Sequence, residues 1–170
     1  GFVGQAVEYA FTHPMVKFKL IDPKYNTSVD DLTEFDPHCV FVCAPTPSNN
    51  DGSVDSNIVE DAVLKSLIHT NGLVVVKSTI TPDVIDRLYS SLDRRQIDRF
   101  AYNPEFLTEK NAKADFVTAK FHVIVGSPQS TQELIEIYDI FSGCESNDYQ
   151  RMTAYEASFV KYTINSYLAT

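Results

Sequence analysis

The chain has 170 residues, with 14 Lys+Arg against 23 Asp+Glu and a formal net charge of −9. An apolar share of 44% excludes wholesale disorder and is enough for a buried core. The negative balance argues against general binding to nucleic acid or an anionic membrane, because phosphates would be repelled. Residues 2–11 predict a helix, opened by Gly1 and Gly4. Residues 17–21 read as a short strand ending at Asp22, and the polar stretch 26–35 as a short helix or loop closed by Asp36-Pro37. Residues 39–44 (CVFVCA) form an apolar run too short for a buried helix, so a fully buried strand is expected. The segment PTPSNNDGS at 45–53 is a loop.

A helix follows from about 55 to 69, with Ile58, Val59, Ala62, Val63 and Leu67 on one face. Residues 73–77 predict a second buried strand, followed by Ser78-Thr79. Pro82 fits the first turn of a helix reaching about Leu92. Residues 99–102 form a short strand, 103–115 a long polar loop, 121–125 another strand and 130–141 an amphipathic helix. Thr153 and Glu156 have capping-box spacing and open a helix still running at Thr170.

Short apolar runs alternating with helices imply parallel strands and crossover helices. The expected fold is therefore α/β: a Rossmann-like, doubly wound parallel sheet with its first strand missing, plus the start of a central helix. The glycine opening without a Met or a preceding strand, and the unfinished last helix, lead us to expect a piece of a longer protein. The division expected is a nucleotide-binding domain over 1–150 and the start of a helical substrate domain over 151–170. Three cysteines, Cys39, Cys43 and Cys144, lack the spacing of a disulfide framework or a zinc site. A reducing, cytoplasmic compartment is the default, and no metal is expected. No apolar run approaches the roughly 18 residues of a membrane span.

In such sheets ligands sit at the carboxyl ends of strands. Gly1-x-x-Gly4 reads as the tail of a G-x-G-x-x-G turn, whose glycines admit a pyrophosphate and whose helix supplies N–H donors. Asp22 stands where a ribose-binding carboxylate belongs and favours NAD over its 2′-phosphorylated form. Thr46, after the strand at 39–44, and Thr79, after the strand at 73–77, offer hydroxyls at strand ends. Ser78 or Thr79 has a second reading as a helix cap. Glu105 and Glu109 are four apart around Phe106 and Leu107, which suits a base and a positioning group; the plain alternative is a solvated acidic loop. Lys161 and Asn165, also four apart, share a face of the last helix. A cation and an amide there suit stabilisation of a developing alkoxide; a lysine reaching to solvent is the alternative.

In order along the chain, GFVG at 1–4, Asp22, CAPTPSNNDGSVD at 43–55, VVVKSTITP at 74–82, NPEFLTEKNAKADF at 103–116 and EASFVKYTINSYLA at 156–169 resemble the UDP-glucose/GDP-mannose dehydrogenase family. The resemblance implies an NAD-dependent, two-step oxidation of a nucleotide-sugar C6 alcohol to the acid, UDP-glucose being the first candidate, in an enzyme that is a homodimer. It implies cofactor contacts for Gly1, Gly4, Asp22, Thr46, Thr79 and Glu109, and sugar-nucleotide contacts for Glu105, Phe106, Leu107, Lys161 and Asn165. It further implies acid/base work for Glu105, a place near nicotinamide and the catalytic water for Glu109, ordering of that water for Thr79, and oxyanion stabilisation by Lys161 beside Asn165. The family's catalytic cysteine falls beyond Thr170, and none of the three cysteines here matches it. Thr108 stands where Arg is common and Lys110 where Gly is common, which leaves sugar specificity open. The rival readings are a single-step β-hydroxyacid or 6-phosphogluconate-type dehydrogenase and a non-catalytic nucleotide-binding remnant.

Overall fold

The computed structural model describes residues 1–49 and 52–168, without the side chains of Asn165, Ser166 and Leu168. Helix α1 (Phe2–Ala10) is followed by 3-10 turns at Pro23–Tyr25 and Val29–Asp31 and by α2 (Leu32–Phe35). Then come β1 (Cys39–Val42), α3 (Asn57–His69), β2 (Leu73–Val76), α4 (Pro82–Ser91), α5 (Arg94–Ile97) and β3 (Phe100–Tyr102). After a 3-10 turn at Glu109–Asn111 the chain forms α6 (Ala112–Val117), β4 (His122–Gly126), α7 (Pro128–Phe141), β5 (Tyr149–Arg151) and α8 (Ala154–Leu168).

The strands form one sheet in the order β1-β2-β3-β4-β5. Strands β1, β2 and β3 are parallel, in a register that aligns Val42, Val76 and Tyr102. Side chains alternate across a strand, so each strand feeds two cores. Val74, Val76, Phe100, Tyr102, Val123 and Val125 pack with α3, α4 and α8 through Val59, Val63, Ile85, Leu88 and Ala157. Leu73, Val75, Ala101 and Ile124 face the other way, onto Ala6, Ala10, Phe116, Leu134 and Tyr138 of α1, α6 and α7. Helices on both faces of a mostly parallel sheet make this a Rossmann-like α/β fold.

Four features differ from the sequence expectation. Residues 17–21 form no strand: β1 is the sheet edge, and Phe18 and Leu20 are 42% and 46% exposed. A strand needs a neighbour for its N–H and C=O groups. Here Thr27 folds the segment on itself, its Oγ1 donating to the Leu20 carbonyl at 3.0 Å and accepting from the Asp22 N–H at 2.9 Å. Second, β4 runs antiparallel to β3. The polar connector contains α6, which packs on α1 instead of crossing back over the sheet, so β4 enters from the edge where β3 leaves. Third, part of the loop expected at 103–115 is therefore helical. Fourth, α5 and the short polar β5, parallel to β4, were not expected; a reciprocal Asp93–Gln96 capping box starts α5.

Candidate active site

Three parallel strands end side by side, and their carboxyl edge is laced together. The Lys77 N–H donates to the Val42 carbonyl, and the Asn103 N–H to the Val76 carbonyl, both at 2.9 Å. The Ser78 hydroxyl donates to the Ala44 carbonyl at 2.7 Å. Ser78 thus ties β1 to β2 and does not cap α4, whose N-cap is Thr81. Helix α1 begins at this edge: a Cβ added to Gly4 would lie 3.8 Å from the Cys43 Cβ. Its N-cap, Gly1, is exposed and offers no side-chain acceptor to the first-turn N–H groups.

Helix α8 starts with the capping box the sequence predicts. The Thr153 N–H donates to Glu156 Oε2 at 2.8 Å, and the Glu156 N–H to Thr153 Oγ1 at 3.3 Å. The cap sets the phase of the helix, so Ala157, Ser158 and Lys161, three and four apart, face inward. Lys161 is 2% exposed and does not reach to solvent. Its ammonium donates to the Glu105 carbonyl oxygen, and to Glu105 Oε1 at 3.1 Å. Glu105 is 9% exposed, and its Oε2 accepts the Leu107 N–H at 2.8 Å. The Phe106 ring lies 5.5 Å from the ammonium and packs on Phe121. Burial pushes the Lys161 pKa down, and the charge and hydrogen bond of Glu105 push it back up. An ammonium has three N–H donors. Glu105 takes two among the described residues, leaving one for an incoming oxygen.

The structure thus brings together Glu105, Phe106, Leu107 and Lys161. It does not bring Glu109 to them: Glu109 is exposed at the start of its 3-10 turn and, among the described residues, bonds to neither Glu105 nor Lys161. Asp22 caps a 3-10 turn, its Oδ1 accepting the Lys24 N–H at 2.9 Å, which leaves acceptor capacity on the carboxylate. Thr46 and Thr79 are half-buried at the strand ends. The side chain of Asn165 lies outside the described residues. Thr108 holds Asp115, through its N–H at 2.8 Å and its hydroxyl at 2.5 Å, and so braces the start of α6.

A second polar cluster was not foreseen. Lys77, Asn103 and Tyr138 are buried together at the ends of β2 and β3, on the face covered by α6 and α7. The signal was present: Leu73, Val75 and Lys77 are two apart, so alternation turns Lys77 inward. The cysteines are poor nucleophiles. Burial pushes the Cys43 thiol up to about 12 and raises Cys39 and Cys144 as well. Among the described residues no three His, Cys, Asp or Glu side chains are grouped to hold a metal ion, and no helix is long and apolar enough to cross a membrane.

Residues 14–142 match the family model described as UDP-glucose/GDP-mannose dehydrogenase family, NAD binding domain. The chain belongs to this family. NAD is accordingly the cofactor of the matched domain. Over 167 residues the chain is 35% identical to UDP-glucose 6-dehydrogenase of Rickettsia bellii, covering 95% of this chain and 36% of that protein. Its fold superposes on a GDP-mannose dehydrogenase of Pseudomonas aeruginosa with a TM-score of 0.69 at 25% identity, covering 86% of this chain and 36% of that one. A UDP-glucose dehydrogenase of Pyrobaculum islandicum gives a TM-score of 0.67 at 28% identity, covering 84% of this chain and 34% of that one. The chain therefore spans about a third of the length of the relatives it matches.

Proposed function

We propose that this chain is the cofactor domain, with the start of the substrate helix, of an enzyme that oxidises the C6 alcohol of a nucleotide sugar to the acid. UDP-glucose is the first substrate to try, since the Rickettsia relatives are UDP-glucose 6-dehydrogenases. The observation that carries the reading is the buried Lys161–Glu105 pair beside the carboxyl ends of parallel strands. Residues 1–150 form the cofactor domain in this reading, and 151–170 begin the substrate domain. The residues fit the cofactor: Gly4 brings the α1 backbone close to the end of β1, the α1 N-terminus has no side-chain cap, and Asp22 retains acceptor capacity. Gly1, Gly4 and Asp22 would hold it, with Thr46, Thr79 and Glu109 at the neighbouring loop ends. When bound, NAD supplies the acceptor for the hydride leaving the sugar carbon.

In this reading Glu105 accepts the proton of the C6 hydroxyl. Lys161 directs its remaining N–H at the oxygen as negative charge develops there. A buried ammonium does this better than an exposed one, because little water screens it. Phe106 and Leu107 form the apolar wall for the sugar nucleotide, and Asn165 follows one helical turn after Lys161. None of the three cysteines takes part. A homodimer and a cytoplasmic setting belong to the same reading.

The test is the count of NADH formed per nucleotide sugar by the protein at the length of its relatives. Two equivalents support the proposal. One equivalent places the protein with single-step β-hydroxyacid or 6-phosphogluconate-type enzymes. None, with NAD binding intact, leaves a nucleotide-binding module.

A further inference from the structure

We propose that Lys77 is a positioning residue: from within the fold its ammonium fixes the Asn103 side chain, and with it the strand end from which Glu105 projects. The inference rests on the reading of Glu105 and Lys161 as the reacting pair. Lys77 Nζ donates to Asn103 Oδ1 at 2.9 Å and to Tyr138 Oη at 3.3 Å. Tyr138 Oη donates to the same Asn103 oxygen at 2.8 Å. Asn103 Nδ2 donates to the Val123 carbonyl at 2.7 Å, and its N–H bonds to Val76. One asparagine is thus gripped from β2, β4 and α7, two residues before Glu105. Lys77 is itself two residues before Thr79, so one ammonium joins both site-bearing strand ends.

The energetics argue against a merely stabilising role. Lys77 is 2% exposed and, among the described residues, forms no salt bridge. Its ammonium lies over the Phe116 ring at 4.9 Å and has neutral oxygens as acceptors. Burying a charge this way costs stability, and an apolar residue of similar length would avoid that cost. What the lysine adds is a directed donor and a positive field. The titratable and charged groups facing it are Cys43 after β1, Glu105 after β3, His122 of β4, Tyr138 of α7, Cys144 after α7 and Lys161 of α8.

Burial lowers the Lys77 pKa from its ordinary 10.5 to about 8. Cys43 is raised to about 12, Cys144 and Tyr138 are raised and His122 is lowered to about 4; Lys161 is lowered as well, so the Lys77→Met variant decides which ammonium the titration reports. The experiment uses the full chain, labelled with nitrogen-15, as wild type and as Lys77→Met. It follows the Leu107 amide, which donates to Glu105, from pH 6.5 to 10. Expected are a wild-type resonance that shifts with a midpoint near 8, and a displaced resonance in Lys77→Met without that titration. A flat wild-type resonance, or a variant resonance superimposed on the wild type's, overturns the proposal. Lys77→Gln replaces the Met variant if the latter does not fold, and the wild-type titration needs neither. In the protein at its relatives' length, Lys77→Met should lower kcat at least tenfold with KM for NAD within twofold. An unchanged kcat overturns the positioning role. If no nucleotide sugar is turned over at all while Leu107 titrates as stated, the proposed function fails and the control of Glu105 by Lys77 stands.

Discussion

Lys161 and Glu105 illustrate how one contact changes the meaning of a residue. In sequence, a lysine on an apolar helix has two readings: a side chain reaching to solvent, or a buried charge. Its 2% exposure and its bonds to Glu105 select the second. Breaking a buried pair from one side leaves an uncompensated charge and typically costs about 3–5 kcal/mol. Glu105→Gln retains the backbone carbonyl as one acceptor, so we expect a loss of about 3 kcal/mol in urea denaturation at pH 7. The sign of its pH dependence follows from linkage. Removing Glu105 lowers the folded-state pKa of Lys161 further, so the unfolded chain holds more protons and stability recovers as pH rises towards 10.5. A deficit that stays constant from pH 7 to 10 would contradict the buried pair. Gly4 offers a cleaner separation of fold from ligand. An added Cβ meets only ordinary contact at 3.8 Å. Gly4→Ala should therefore be as stable as wild type, or up to about 1 kcal/mol more so through helix propensity, while NAD affinity in calorimetric titration falls at least tenfold. Unchanged affinity would remove Gly4 from the cofactor site.

At the scale of elements, caps and close approaches decide where the site residues point. Thr153 sets the start of α8, and Thr153→Ala should cost about 1 kcal/mol in thermal or urea unfolding. Gly72, between α3 and β2, has no room: a Cβ would stand 2.1 Å from the Pro37 carbonyl oxygen and 2.6 Å from that of His38. Gly72→Ala must shift backbone and should cost about 1–3 kcal/mol or more; a neutral effect would show that the start of β2 is not held against residues 37–38. These elements also show what the sequence could tell. Strands β1 and β2 were legible because a buried parallel strand is a short apolar run, and α8 because a capping box precedes it. Residues 17–21 misled because their composition suits a strand, whereas a strand exists only beside a partner. Helix α6 was hidden by its shortness: of its 6 residues only Ala112 and Phe116 have buried side chains, too few to show a helical period. Strand β5 is Tyr-Gln-Arg at the sheet edge, with no apolar alternation to reveal it.

For the molecule as a whole, the sheet divides two cores and gathers its loops at one edge. That arrangement was legible from the alternation of strand and helix; the reversal of β4 was not, because direction depends on where a connector packs. The candidate site was legible in part, for a different reason. Glu105, Phe106, Leu107 and Lys161 announced themselves by unusual chemistry, whereas Lys77 looked like an ordinary strand end until alternation and burial placed it beside Asn103 and Tyr138. Asp22 tests the reach of the edge: Asp22→Ala should weaken NAD binding about tenfold, about 1.4 kcal/mol, and equal affinity would leave Asp22 as the cap of its own turn.

The most direct measurement is kcat and NAD affinity for Lys161→Ala in the protein at its relatives' length, with nucleotide sugar as substrate. The account predicts a kcat lower by orders of magnitude at an NAD affinity within twofold of wild type. A variant that turns over at the wild-type rate would show that the buried ammonium meets no developing charge.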